Sequence, residues 1–232
     1  MAYDHSTTYR TLTLRNIPHR MRLRAIERAA RRLAPKPCHA YADFGCSNGY
    51  ITDLIARSIA ADETTGFDHT EANLAIGRTR YPQLHFETVE LNAPGQTTPA
   101  FDFVTCFETL EHVGDLRNAL SNIVASVRPS GSALITVPIE SGVVGTFKYL
   151  IKRGIYRYSL KELSSDPDIH RRYFRALVTG KRISTFRSPR KSWGTHFGFD
   201  YRDVDAYLRE LAVPFRARSA LFTRFYEITL PG

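Results

Sequence analysis

The chain has 232 residues, 43% hydrophobic and 24% charged, with a formal net charge of +9, the make-up of a globular protein long enough to bury a real core. No run of about eighteen apolar residues occurs, which excludes a spanning helix, and the opening Met1-Ala-Tyr-Asp-His-Ser lacks the charged and apolar regions of a signal peptide. The three cysteines, Cys38, Cys46 and Cys106, lie far apart with no Cys-x-x-Cys or Cys/His spacing, so neither a disulfide frame nor a metal site is expected, and a reducing, cytoplasmic compartment is.

Residues 1–37 read as an N-terminal helical appendage. Met21, Leu23, Ile26, Ala29, Ala30 and Leu33 recur at near-helical spacing among arginines, and Pro35 and Pro37 stop the helix. The expectation is a helix packed on its own domain; a basic helix lying on a membrane is the competing reading. From residue 39, strand and helix alternate. Residues 39–44 form a first strand, and 48–60 a helix with Ile51, Leu54, Ile55 and Ile59 on one face. A second strand at 64–68, a second helix at 70–80 and a third strand at 84–89 come next. Residues 101–107 make a fourth, buried strand. Asp115 caps a helix whose Leu116, Leu120, Ile123, Val124 and Val127 fall at helical spacing. Arg128-Pro-Ser-Gly131 ends that helix, and 133–137 is a fifth strand. Repeated βα units imply a parallel sheet with helices on both faces. After Pro138 the alternation breaks. Residues 141–196 are basic and aromatic with helical fragments, and 197–232 resume with a helix at 201–211 and strands at 215–220 and 225–230. One domain is expected: a core at 38–140, an insertion at 141–196, and 197–232 completing the core.

The turn Asp43-Phe-Gly-Cys-Ser-Asn-Gly49 joins the first strand to its helix. In open α/β sheets ligands bind beyond the carboxyl ends of the strands, and glycines at 45 and 49 let the backbone approach one closely; a tight turn without a ligand reads the same way. Asp68 ends the second strand 25 residues after Asp43, where a carboxylate can accept both hydroxyls of a ribose. Glu90 comes after the third strand, on the adenine side. A dinucleotide site requires Gly-x-Gly-x-x-Gly with an acid about 20 positions later, and a phosphate loop requires Gly-Lys-Ser/Thr; neither is present.

Over roughly residues 39–140 the sequence resembles the class I S-adenosylmethionine-dependent methyltransferases. Asp43-Phe-Gly-Cys-Ser-Asn-Gly49 is similar to their first motif, Gly66-Phe-Asp-His-Thr-Glu-Ala-Asn73 to their second-strand motif, and Arg128-Pro-Ser-Gly131 to the turn before their fifth strand. Phe101-Asp-Phe-Val-Thr-Cys-Phe-Glu-Thr-Leu-Glu-His-Val113 is similar to the fourth-strand signature of the small-molecule enzymes. The resemblance implies an α/β fold, a doubly wound Rossmann-like sheet, mostly parallel with a C-terminal antiparallel strand. It also implies S-adenosyl-L-methionine as cofactor, with S-adenosyl-L-homocysteine as product. The cofactor contacts it implies are Asp43, Gly45, Cys46, Ser47, Gly49, Asp68, His69, Glu90, Leu91 and Phe107. Asp43 is expected to order the turn and attract the ammonium end of the cofactor. His69 stands where many relatives have an apolar residue over the adenine; an imidazole there either stacks on that ring or faces solvent. Ser47 and Ser130 replace family glycines, and Glu90 replaces the usual aspartate, a role Asn92 is placed to take.

The acceptor is less legible. Residues 141–202 hold 14 Lys and Arg against four acids, so the whole positive excess lies there. A solvated surface competes with the reading that 141–196 are an acceptor lid for a small, anionic or sugar-like molecule. Methylation on oxygen calls for a general base, and His112, His196 and Glu140 are the candidates in that order. Alternatives are an RNA methyltransferase, against which stands the lack of an Asn-Pro-Pro-Tyr-like segment after the fourth strand, and a non-catalytic module that binds cofactor or a lipid surface. The oligomeric state is not legible.

Overall fold

The computed structural model describes residues 16–154, 167–187, 193, 197–220 and 222–232. The N-terminal helix, α1 (Ile17–Leu33), has Pro18 in its first turn and buries Leu23, Ala25, Ile26, Ala29 and Ala30. It is followed by β1 (Ala40–Phe44), α2 (Tyr50–Ile59), β2 (Glu63–Asp68), α3 (Glu71–Arg80), β3 (His85–Thr88), β4 (Phe101–Phe107), α4 (Leu116–Ala125) and β5 (Val127–Pro138). Helices α5 (Gly142–Gly154) and α6 (Pro167–Thr179) come next, then α7 (Tyr201–Glu210), β6 (Phe215–Ala220) and β7 (Thr223–Thr229).

The seven strands form one sheet in the order β3-β2-β1-β4-β5-β7-β6. Strands β1 to β5 are parallel, and β7 runs antiparallel to both β5 and β6. This is the mostly parallel, doubly wound sheet with a C-terminal antiparallel strand expected from the sequence. The order reverses at β1, so β2 and β4 flank β1 and their carboxyl ends open a crevice.

Side chains alternate between the two faces of each strand. Ala42, Phe44, Val104, Cys106, Tyr226 and Ile228 pack with α4 and α7. Tyr41, Phe103, Phe107 and Phe225 face α1 and α2. Helix α1 is thus part of the main core: Ser132 of β5 donates through Oγ to the carbonyl of Leu33 at 2.9 Å, and Arg32 pairs with Glu227 of β7. A separate aromatic cluster holds α5 to α6, with Tyr149 against Tyr173 and Phe174 at centroid distances of 5.9 and 5.7 Å.

One element differs from its sequence reading. Val127, placed at the end of a helix by its apolar spacing, is the first residue of β5 and pairs with Phe101. The register then shifts, and Phe103 pairs with Ser132. Arg128-Pro-Ser-Gly131 is therefore a bulge inside the strand rather than a turn before it, with Ser130 at φ 63°. Cross-strand pairing and burial of Val127 at 2% exposure outweigh its helical spacing.

Candidate active site

Asp43 lies at 3% exposure on the α2 face of β1. Thr52 donates to its Oδ2 at 2.6 Å and Thr105 to its Oδ1 at 2.7 Å. The Tyr41 hydroxyl lies 2.7 Å from Thr105 Oγ1; because that oxygen gives its proton to Asp43, Tyr41 donates to it. Burial raises the Asp43 carboxyl to about 6 against the pull of the two threonines. The carboxylate ties β1, β4 and α2 together beneath the turn.

The turn itself is held in left-handed backbone at three positions: Gly45 at φ 81°, Ser47 at 50° and Gly49 at 78°. A Cβ on Gly45 would lie 2.1 Å from Thr109 Oγ1, and one on Gly49 would lie 2.6 Å from the Phe86 ring. Each glycine is thus explained by packing within the chain as well as by its dihedral. Cys46 packs with Leu74, Leu84 and Phe86, and its thiol faces the Ser47 carbonyl at 3.6 Å.

Asp68 closes the opposite wall. Its Oδ2 accepts from Ser47 N at 3.0 Å and its Oδ1 from Thr70 N at 2.9 Å. A carboxylate has about four acceptor positions, so this one orders the turn and retains acceptor capacity. Beyond it, Glu90 accepts from the backbone N and side-chain Nδ2 of Asn92 at 2.9 and 2.6 Å. Asn92 is committed elsewhere: its Oδ1 accepts from Gly114 N and Asp115 N at 2.7 and 2.9 Å. Leu91 and Phe107 are buried in the two cores. His69 stacks on Trp193, with centroids 4.1 Å apart and planes at 10°.

At the carboxyl end of β4 stands a second group. Glu108 has φ 49°, a strained backbone of the kind found at functional sites. Arg22 of α1 donates to its Oε2 at 2.5 Å, while its Oε1 is buried without a well-formed hydrogen bond and the Thr136 hydroxyl lies near the carboxyl. Glu111 is 4% exposed and its Oε2 has no hydrogen-bond partner. Burial pushes both carboxyls up, and the charge of Glu108 pushes Glu111 further; Arg22 pulls both down and Lys148 also pulls Glu108 down. His112 is partly exposed, with Nε2 3.9 Å from Glu111 Oε1. Glu140, after β5, accepts from Lys148 Nζ of α5 at 3.0 Å. His196 lies outside the described residues.

Three of these contacts have no signature in the sequence. Arg22 is one arginine among several on α1. Arg187 donates through Nη2 to the carbonyls of Glu111 and Val113 at 3.0 and 2.7 Å, pinning the loop that carries His112. Trp193 donates through Nε1 to Glu90 Oε2 at 3.3 Å. Among the described residues no group of three or more His, Cys, Asp or Glu side chains is arranged to hold a metal ion, and no helix is long and apolar enough to cross a membrane.

The glycine turn and Asp68 thus meet at the carboxyl ends of β1 and β2. Known proteins with similar sequence or fold are methyltransferases. The methyltransferase domain family matches residues 14–186. A trans-aconitate 2-methyltransferase from Delftia acidovorans is 30% identical over 100 residues, 41% of this chain and 37% of that protein. A ubiquinone biosynthesis O-methyltransferase from Paracidovorax citrulli is 32% identical over 105 residues, 43% of each. The matches thus span about two fifths of these curated relatives. The structure of magnesium protoporphyrin IX methyltransferase from Synechocystis with bound S-adenosylhomocysteine superposes at a TM-score of 0.60 with 14% identity, covering 97% of this chain and 92% of that one. By its motifs, its strand order and the family match over residues 14–186, the chain belongs to the class I S-adenosylmethionine-dependent methyltransferases.

Proposed function

We propose that the protein transfers a methyl group from S-adenosylmethionine to a hydroxyl of a small acceptor held over the carboxyl ends of β4 and β5. The observation that carries this reading is the buried Glu111 Oε2, which has no hydrogen-bond partner, beside the Glu108 carboxyl at that strand end. Buried acceptor atoms are stabilised by a donor, and a hydroxyl supplies one.

In this reading Asp68 receives the ribose hydroxyls, Glu90 and His69 face the adenine, and the backbone of residues 45–49 cradles the amino-acid end. Asp43 acts from beneath, by holding the turn. When bound, the cofactor supplies an electrophilic sulfonium methyl. The chain aligns the acceptor oxygen with that methyl and excludes water. In this reading the acceptor hydroxyl gives its proton to the Glu108–Glu111 pair as it is methylated, the proton affinity of both carboxyls being raised by burial. His112, partly exposed beside Glu111, is placed to return that proton to solvent. Glu140 is held by Lys148 and positions α5 instead.

Residues 141–196 act as the acceptor lid. Their cations suit a phosphate-bearing or otherwise anionic remainder of a sugar-like acceptor, while the carboxylates receive only its hydroxyl end. Three buried, unpaired cysteines support a cytoplasmic setting. The test is incubation of a metabolite extract with methyl-labelled cofactor, read by mass spectrometry for wild type and Glu111→Gln. Labelled O-methyl product with wild type, lost in the variant while calorimetric S-adenosylhomocysteine binding persists, supports the reading. Label on nitrogen or carbon, or turnover unchanged in the variant, overturns it.

A further inference from the structure

We propose that Trp193 stands in for the adenine ring: its indole occupies the adenine subsite, and cofactor binding expels it. This inference rests on the cofactor reading given under Proposed function and adds a residue from the insertion to a site otherwise built by β2 and β3.

The geometry is that of an intramolecular mimic. Adenine is a flat bicyclic aromatic with exocyclic N–H donors. The indole of Trp193 is a flat bicycle with one N–H donor. It lies parallel to the His69 imidazole, with centroids 4.1 Å apart and planes at 10°. Its Nε1 donates to Glu90 Oε2 at 3.3 Å. Those two contacts, a ring face on His69 and a donor on Glu90, are the ones assigned to the adenine. Parallel rings 4.1 Å apart leave no room for a third between them, because each stacking interval needs about 3.5 Å. A purine on that face of His69 that donates to Glu90 and the indole therefore exclude each other.

Exclusion has a thermodynamic consequence. A site filled by its own side chain binds ligand with an apparent dissociation constant raised by the inverse of the open fraction. Deleting the indole should therefore tighten binding, whereas a tryptophan that packs against bound adenine would weaken binding when deleted. With an aromatic pair of ordinary strength, the gain in Trp193→Ala is about 3- to 10-fold.

Trp193 is the single tryptophan of the chain, so its emission reports this site alone. The experiment is a titration of full-length protein with S-adenosylhomocysteine, adenosine and methionine, followed by tryptophan emission and acrylamide quenching, with calorimetry in parallel on wild type and Trp193→Ala. The expected result is a red shift and greater quenching with S-adenosylhomocysteine and with adenosine but not with methionine, and tighter calorimetric binding by the variant. Binding by calorimetry with no change in emission, or weaker binding by Trp193→Ala, overturns the stand-in role and leaves the cofactor reading intact. No calorimetric binding of S-adenosylhomocysteine to either protein overturns the cofactor reading, and this inference with it.

Discussion

Arg22 of α1 reaches Glu108 at the carboxyl end of β4 across 86 positions of chain, at 2.5 Å. The first helix therefore supplies the counter-charge for one of the two carboxylates beyond the carboxyl end of β4. Removing one partner of a largely buried pair leaves the other charge poorly compensated. Arg22→Ala should lower unfolding free energy by about 1–3 kcal/mol in urea denaturation. Glu108→Gln in that background should recover part of the loss, because a neutral amide needs no cation. Equal stability of Arg22→Ala and wild type would show the pair to be solvated.

Asp43 makes stability depend on pH. Its carboxyl is raised from 3.8 to about 6 by burial, so between those values the folded protein binds more protons than the unfolded chain. Stability from this group is full below about pH 4 and declines as pH rises through about 6, by about 3 kcal/mol in all. Asp43→Asn should remove that decline, since Thr52 and Thr105 can turn their hydroxyls to suit an amide. The check is the difference in unfolding free energy between the two proteins from pH 4 to 7, which should move in favour of the variant.

Ser47 sits at φ 50°, a conformation that costs a residue with a Cβ about 1 kcal/mol. Ser47→Gly should raise the melting temperature by about 2–4 °C and leave the Ser47 N to Asp68 hydrogen bond in place. A lower melting temperature would mean that the serine hydroxyl contributes more than the strain costs.

Arg187 is a positioning residue for the loop from Glu111 to Val113. Arg187→Leu should lower kcat by about 10- to 100-fold, as misplacement by an ångström does, with S-adenosylhomocysteine affinity unchanged by calorimetry. Arg187→Lys should restore part of the rate, because an ammonium can still donate to one of the two carbonyls. Parallel loss of cofactor affinity would place the residue in a general structural role instead.

The alternation of strands and helices was readable because period-two and period-3.6 patterns are local properties of the chain, and Asp43, Gly45, Gly49 and Asp68 were readable because they punctuate it. Their reasons were less so. Gly45 is glycine because Thr109 fills the space where a Cβ would stand, a contact made by residues 64 positions apart. The bulge at Arg128-Pro-Ser-Gly131 was hidden because Val127 continues the helical spacing of α4 while pairing with Phe101. Arg22, Arg187 and Trp193 carry no local pattern at all. An arginine in a basic helix looks like its neighbours until the fold brings a buried carboxylate to it.

The placement of β7 between β5 and β6 sets the timetable of synthesis. When β5 ends at Pro138, its outer edge has no partner, and the strand that covers it begins only at Thr223. A nascent chain emerging at about 5–20 residues per second carries that bare apolar edge for several seconds while the basic insertion is made. An uncovered edge strand is a template for pairing with other chains. Expression yield should therefore respond to how fast residues 139–222 are translated, and a chaperone that shields strand edges should matter most in that interval.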